Sequence, residues 1–421
     1  MKIRRRMTKR ITVLFLALTV FVYTAKTQVT DPSFDPALAQ TLQALTDNAG
    51  KSYKGLSVAV DIPGQGRWIG TYGVSKGGAA IKADMRFCIA SCSKTFVAGL
   101  CLKLQDEGLL HLDDSIGTYL PYMKHVNPGI TVRQLLSHQS GLFDFYNDAS
   151  YRTLKTYNNN PDSLWTPKAV LATIGAPHFQ PGQGYRYSNT NFLVAALVCE
   201  AAGGDSFRNL LHQYIIEPLG LSKTAYPAGG DQIFDAPWAK LFDSSSPRSA
   251  PERDEAFSSF IQAAGGIWST ADDLATWFRQ LFGNDFLSPY AQEQLRQVTR
   301  FNYSLGMRAN IVEGGIRHYH SGAWGYRSIV LYDANSGIVV SVLSNLRGKS
   351  VNGLANQLLE AAVNMMPRKA VEIAAIEVKK TVAVNSQTAM YYAQQPAQLG
   401  QAQPSYLTDK TSQARPMYTP R

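Results

Sequence analysis

The chain is poor in cysteine, in charge and in long apolar runs. Four cysteines occur among 421 residues: Cys88, Cys92, Cys101 and Cys199. They form no Cys-x-x-Cys pair, and His-x-x-x-His is also absent, so the usual zinc-ligand spacings are excluded. His318 and His320 are read as projecting from opposite faces of a strand, and so as unable to share a metal. No metal and no cofactor is expected. Cys92, Cys101 and Cys199 lie in apolar stretches and read as small buried hydrophobes, although an even count in an exported chain also permits disulfides. The longest apolar run, Ile11–Thr24, has 14 residues, below the length of a membrane span. No internal repeat is found.

Charged residues make up 17% of the chain, with a formal net charge of +10. The excess sits at the ends. Residues 1–10 carry +6 and residues 366–421 carry +4, while the stretch between is balanced. The body therefore has no field that would draw a polyanion, and nucleic acid is not an expected partner.

The basic start followed by the apolar run reads as an export leader over residues 1–28. Cleavage near Ala25 and retention as an anchor both stay open, because Tyr23 fits the small-residue rule poorly. A membrane is a partner only if the segment is retained. The expected location is periplasmic or secreted. Residues 367–421 are rich in Gln, Ala, Pro, Ser and Thr and read as a disordered tail. One folded domain is expected over residues 29–366.

Within that domain the apolar spacing predicts a helix over Asp35–Ala49, then a hairpin of Leu56–Ile62 with Arg67–Val74. A helix from Ser91 to Glu107 stops at Gly108 and is apolar nearly all round, so it should lie at the centre. From Asp113 to about Pro251 frequent Pro and Asn-Pro signals predict an irregular, mainly helical lobe. Thr270 opens a helix to Phe282, with Asp273 at the capping-box position. Strands are expected at Tyr303–Ala309, Arg317–His320, Tyr326–Asp333 and Ile338–Asn345, the last two joined by Asn335-Ser-Gly337. A closing helix covers Val351–Met366.

Three segments carry candidate chemistry. In Ser91-Cys-Ser-Lys94 the residues three apart share one helical face, so the Lys94 nitrogen can reach the Ser91 hydroxyl. A serine becomes a nucleophile when a neighbouring base takes its proton. Taken alone, Ser91 could equally be a helix cap. In Pro181-Gly-Gln-Gly-Tyr-Arg-Tyr187-Ser-Asn189, a loop entering a helix can aim a phenol and an amide at one cleft. The phenol can relay protons if a nearby cation lowers its pKa, and the amide can hold a carbonyl. In His318-Tyr-His320-Ser321-Gly322-Ala323, the glycine lets another backbone approach closely.

Ser-x-x-Lys, Tyr-x-Asn and His-x-Gly in this order resemble the penicillin-recognising serine hydrolases. The branch is that of class C β-lactamases, D-Ala-D-Ala carboxypeptidases, D-aminopeptidases and esterases. Leu135-Leu-Ser-His138-Gln-Ser140-Gly-Leu142 is similar to that family's Leu-Leu-x-His-x-Ser-Gly-Leu signature. Ile216-Glu-Pro-Leu-Gly-Leu221 and Ala263-Ala-Gly-Gly-Ile-Trp-Ser-Thr-Ala-Asp-Asp273 also resemble family segments. The resemblance implies an α/β (α+β) β-lactamase/transpeptidase-like fold, with an antiparallel sheet flanked by terminal helices and a helical lobe. It implies Ser91 as the acylated nucleophile, Lys94 as its base or base partner, and Tyr187 as the proton relay for the leaving group. Asn189 would hold the acyl-side amide, and the N–H groups of Ser91 and Ala323 would form the oxyanion hole. His138 and Ser140 would be structural.

Two departures bear on activity. His320-Ser321-Gly322 stands where β-lactamases of this branch carry Lys-Thr-Gly, and a histidine is mostly neutral at pH 7. This points away from true β-lactamase activity. The loop Ala323-Trp-Gly-Tyr326 is one residue shorter than in most members. Carboxypeptidases with His-x-Gly place an arginine on the neighbouring strand to grip the substrate carboxylate, and Arg308 occupies a similar place; it could also be a strand-surface arginine. The expectation is an exported serine hydrolase of D-Ala-D-Ala carboxypeptidase type, acting on small peptides or amides, with cell-wall peptidoglycan as a partner. A carboxylesterase is the alternative, a β-lactamase comes third, and a penicillin-binding sensor or scaffold is the non-enzymatic reading.

Overall fold

The computed structural model describes residues 29–148, 163–231, 237–242, 251–283, 285–313 and 315–366. The leader read over 1–28 and the tail read over 367–421 lie outside the described residues. Strand β1 (Val29–Thr30) precedes helix α1 (Pro36–Gly50), whose N-cap Asp35 accepts from the backbone N–H of Ala37 and Leu38. The hairpin β2 (Gly55–Ile62) and β3 (Gly66–Gly73) follows, then β4 (Phe87–Cys88) and α2 (Ser93–Asp106). After the lobe come β5 (Trp268–Ser269), β6 (Arg308–Val312), β7 (Gly315–Trp324), β8 (Tyr326–Asp333) and β9 (Val339–Ser344). Seven of these strands form one antiparallel sheet in the order β1-β3-β2-β9-β8-β7-β6, while β4 and β5 pair separately.

An early strand and a late one thus meet in mid-sheet, where β2 pairs with β9. Alternation along the strands sorts side chains between two cores. On one side Val58, Val60, Val340 and Val342 pack with Leu38 and Leu42 of α1 and Leu358 of the closing helix Asn352–Met365. On the other, Ala59, Val330, Val339 and Leu343 join the larger core that holds α2 and the helix Ala271–Phe282. Helix α2 is buried from Ser93 to Leu102 and at Leu104, as its apolar run Phe96–Leu102 requires. No helix among the described residues is long and apolar enough to cross a membrane.

Several local expectations are corrected. The strand expected at Tyr303–Ala309 starts only at Arg308, because Gly306 adopts φ +73° and donates its N–H to the Leu136 carbonyl. The loop is thereby pinned against α2: a Cβ on Gly306 would lie 2.9 Å from the Lys94 carbonyl oxygen. At Thr270 only half of the capping box forms. The Thr270 hydroxyl accepts from the Asp273 N–H, but the Asp273 carboxylate accepts from Lys223 N–H and the Thr224 hydroxyl instead. His318 and His320 share one face of β7, since residues two apart in a strand point the same way. Both are buried, His318 against Phe282 and His320 beside Tyr303, and no group of three or more metal-ligating side chains is found among the described residues. All four cysteines are buried free thiols.

Candidate active site

Ser91 lies in a 3₁₀ turn (Ala90–Cys92) that leads into α2, rather than in the α-helix itself. Ala90 is held at φ +46°, a region non-glycine residues seldom occupy and one that recurs at functional turns. The neighbouring Cys92 is no competing nucleophile. It is buried, burial pushes its thiol up to about 12, and its Sγ donates to the His320 carbonyl oxygen.

One turn on, Lys94 is fully buried. Its Nζ donates to the Ala264 carbonyl at 2.6 Å and to Asn189 Oδ1 at 2.8 Å, and lies 3.3 Å from Ser91 Oγ. Burial lowers its pKa to about 7, against the upward pull of Asp144. A neutral amine has two protons and one lone pair. Two of its partners can only accept, so the lone pair is left facing the Ser91 hydroxyl.

Tyr187 approaches from the other side, its hydroxyl donating to Ser91 Oγ at 3.0 Å. Burial raises its pKa, so the phenol keeps its proton; the lowering by a neighbouring cation considered from the sequence is not what prevails here. The Lys94 Nζ stands 5.0 Å from the Tyr187 ring centre and the Arg308 guanidinium carbon 5.9 Å. Arg308 is exposed at the start of β6 and forms no ion pair among the described residues.

The strand β7 is brought to this turn by Gly322. A Cβ there would lie 2.2 Å from Ser328 Oγ and 2.3 Å from the Ile89 carbonyl oxygen. Gly322→Val should therefore lift β7 off the Ser91 turn and cut kcat by about 100-fold, the usual cost of an ångström-scale misplacement. Steady-state kinetics on a folded variant would check this, and unchanged turnover would refute it. Ala323 and Trp324 line one cavity with Ala90, Ser91, Tyr146 and Phe257. The short loop resolves as a one-residue turn, Gly325 at φ +54° between paired Trp324 and Tyr326.

Asn189, expected to hold the substrate amide, and His320, expected among the catalytic residues, both make hydrogen bonds within the protein. Asn189 is buried, and its amide Nδ2 donates to both carboxylate oxygens of Asp144 at 3.0 Å while its Oδ1 faces Lys94. His320 is buried with both ring nitrogens occupied. Nδ1 donates to the Ser321 carbonyl, which fixes the tautomer and leaves Nε2 to accept from the Tyr303 hydroxyl. Burial, with Lys94 nearby, holds His320 down at about 3, so it brings no positive charge. His138 completes the support at φ +57°. Its Nδ1 accepts from the Ser188 N–H, its Nε2 donates to Tyr303, and its ring lies against Tyr187. Ser140 donates to Asn191 Oδ1 behind it.

Asp144, Ala264 and Tyr303 were not singled out in the sequence. Ala264 lies in the Ala-Ala-Gly-Gly segment already noted, but a carbonyl leaves no residue-type signal. Asp144 left one. It is a lone acid between Phe143 and Phe145, two residues past Leu142, and so a charge inside an apolar run.

Residues 38–364 match the family model described as Beta-lactamase. Penicillin-binding protein 4* of Bacillus subtilis (strain 168) is 26% identical over 272 residues, which cover 60% of this chain and 58% of that protein. Protein flp of Staphylococcus aureus (strain MRSA252) is 25% identical over 309 residues, 70% of this chain and 60% of that one. The chain thus spans about 60% of the length of these relatives. Among solved structures, D-amino acid amidase from Ochrobactrum anthropi SV3 superposes with a TM-score of 0.68 at 23% identity, over 78% of this chain and 99% of the other. D-stereospecific amidohydrolase from Streptomyces sp. gives 0.63 at 27% identity, over 77% and 97%. With a family model matched over most of its length and a serine, a lysine and a tyrosine meeting at one point, the chain belongs to the Beta-lactamase family of penicillin-recognising serine hydrolases.

Proposed function

We propose that this serine hydrolase cleaves small D-amino-acid peptides or amides through an acyl-enzyme, in the manner of a D-alanyl-D-alanine carboxypeptidase. The observation that carries the chemistry is Ser91 Oγ set between the Lys94 amine at 3.3 Å and the Tyr187 phenol at 3.0 Å. Neutral Lys94 takes the Ser91 proton as Oγ attacks the carbonyl. The tetrahedral oxyanion is held by backbone N–H groups of Ser91 and Ala323. The C–N bond breaks as Tyr187 protonates the leaving nitrogen, and Lys94 returns the proton to the phenol. Water then attacks the ester carbonyl and frees Ser91.

Arg308 supports a substrate with a free carboxylate. It lies exposed beside the Tyr187 ring without an ion-pair partner among the described residues, while His320 supplies no charge. A guanidinium can grip a carboxylate with two parallel hydrogen bonds. The similarity to the D-stereospecific amidohydrolase from Streptomyces sp., at 27% identity, supports D-configured substrates. The basic start and apolar run at Met1–Thr24 support export, where peptidoglycan peptides would be met.

Arg308→Ala should raise KM for a D-Ala-D-Ala peptide by about tenfold to a hundredfold while leaving a neutral nitrophenyl ester nearly unaffected. Equal loss on both would remove the carboxylate grip. The wider test is parallel turnover of that peptide, a D-amino acid amide, the ester and a chromogenic cephalosporin. Ester turnover with no peptide or amide turnover would replace this reading by a carboxylesterase.

A further inference from the structure

Asp144 is a fully buried acid that touches neither Ser91 nor Lys94. Its oxygens accept four hydrogen bonds: two from Asn189 Nδ2, one from Tyr146 N–H at 2.9 Å and one from Asn147 Nδ2 at 2.5 Å. Burying a carboxylate away from any cation in contact is costly, and a structural loop does not require it. The polarity of the next links gives it a use. An amide is ambivalent, since one end donates and the other accepts. A carboxylate only accepts. Facing Asp144, Asn189 must therefore turn its NH₂ inward and its Oδ1 toward Lys94. Facing Oδ1 and the Ala264 carbonyl, the Lys94 amine must spend its two protons there.

We propose that Asp144 is a positioning residue which, through Asn189, sets the direction of hydrogen bonding at Lys94 and so aims its lone pair at Ser91. This rests on the reading of Lys94 as the base. Asp144→Asn removes the constraint. The introduced amide could itself donate, and Asn189 could then flip, presenting its NH₂ to the Lys94 lone pair and drawing it away from Ser91.

The charge of Asp144 also acts on Lys94. The titratable groups around this amine are Asp144 from the loop after Leu142, Cys92 from its own turn, His138, His320 from β7, and Tyr187, with Arg308 of β6 beyond it. The cysteine and tyrosine keep their protons and both histidines are held neutral by burial, so Asp144 is the acid that favours the ammonium. Removing it lowers the Lys94 pKa.

The test compares the full chain with Asp144→Asn and Asp144→Glu, alone and in an Asn189→Ala background, by kcat, KM and the pH profile of kcat/KM. Asp144→Asn should lower kcat by about 10- to 100-fold with KM little changed, and should move the acid limb to lower pH. Asp144→Glu keeps the charge and the acceptor-only character, and should hold the limb in place. In the Asn189→Ala background Asp144→Asn should add little, because its route is already cut. A loss that persists in full there overturns the proposal, as does an acid limb that Asp144→Asn leaves unmoved. Should Asp144→Asn fail to fold, Asp144→Glu decides: a limb displaced in that variant overturns the proposal. Failure of the base reading is separately visible, as a limb near pH 7 that survives Lys94→Met.

Discussion

Ser91→Ala should lower kcat by a factor of about 10⁴ or more, to the residual rate that binding and an oxyanion hole provide alone. Among the described residues beside it, neither the Cys92 thiol nor the Tyr187 phenol is placed to take over. Cys92 is turned away into the core, with its thiol pushed up to about 12, and the Tyr187 phenol is held protonated by burial. The loss should fall on kcat rather than KM, since Oγ bonds to the carbonyl only as the reaction proceeds. Mass spectrometry gives the sharper check. The unaltered protein, stopped during turnover of a slow ester or β-lactam, should carry one acyl adduct on the peptide containing Ser91, and the alanine variant none. Because Ser91 is only partly buried and belongs to neither hydrophobic core, melting temperature should change little. Turnover by Ser91→Ala at the unaltered rate would end the acyl-enzyme reading.

Lys94→Met should cost about 10²- to 10⁴-fold in kcat, the range a positioned general base supplies. The same substitution should alter the dependence of stability on pH. Folding moves the lysine from an unfolded pKa of about 10.4 to about 7. Between those values the unfolded chain binds more protons than the folded one, so stability rises with pH across the window. Below pH 7 the buried ammonium carries its whole cost, on the order of several kcal/mol. Methionine removes that cost but leaves the Ala264 carbonyl and Asn189 Oδ1 without a donor, each worth about 1–3 kcal/mol. The melting temperature of the variant relative to the parent should therefore be highest below pH 7 and fall steadily toward pH 10. A difference that stays flat from pH 6 to pH 10 would show that Lys94 is not held near neutrality. Activity of the parent should rise with pH through an inflection near 7, as the amine loses its proton.

The two experiments separate roles that one static geometry places side by side. Ser91 is tested by the covalent bond it forms, Lys94 by the proton it holds. A site that sacrifices stability at neutral pH to keep a lysine uncharged fits a catalytic use of that lysine.

Much of the fold was legible because its signals are local. The β2–β3 hairpin was marked by Gly64-Gln-Gly66 between apolar strands, and β8–β9 by Asn335-Ser-Gly337. Helix α2 announced its central place by having no polar face. The misplaced start of β6 shows the limit. Nothing in Tyr303–Met307 lacks strand character except Gly306, and what bends that segment is a hydrogen bond to Leu136, far away in sequence. The same holds for Asp273, whose capping position was readable but whose carboxylate was claimed by Lys223 and Thr224.

By itself the sequence determined which chemistry was available. Residue types and short spacings put a hydroxyl and an amine one turn apart at Ser91 and Lys94, and a phenol and an amide on one loop at Tyr187 and Asn189. Tertiary structure alone decided what each group does there. Whether Lys94 is an ammonium or an amine depends on its burial, and whether Asn189 donates or accepts depends on a carboxylate 45 residues away in the chain. Burial and hydrogen-bond polarity are properties of surroundings assembled from distant segments, so they exist only once those segments have packed together.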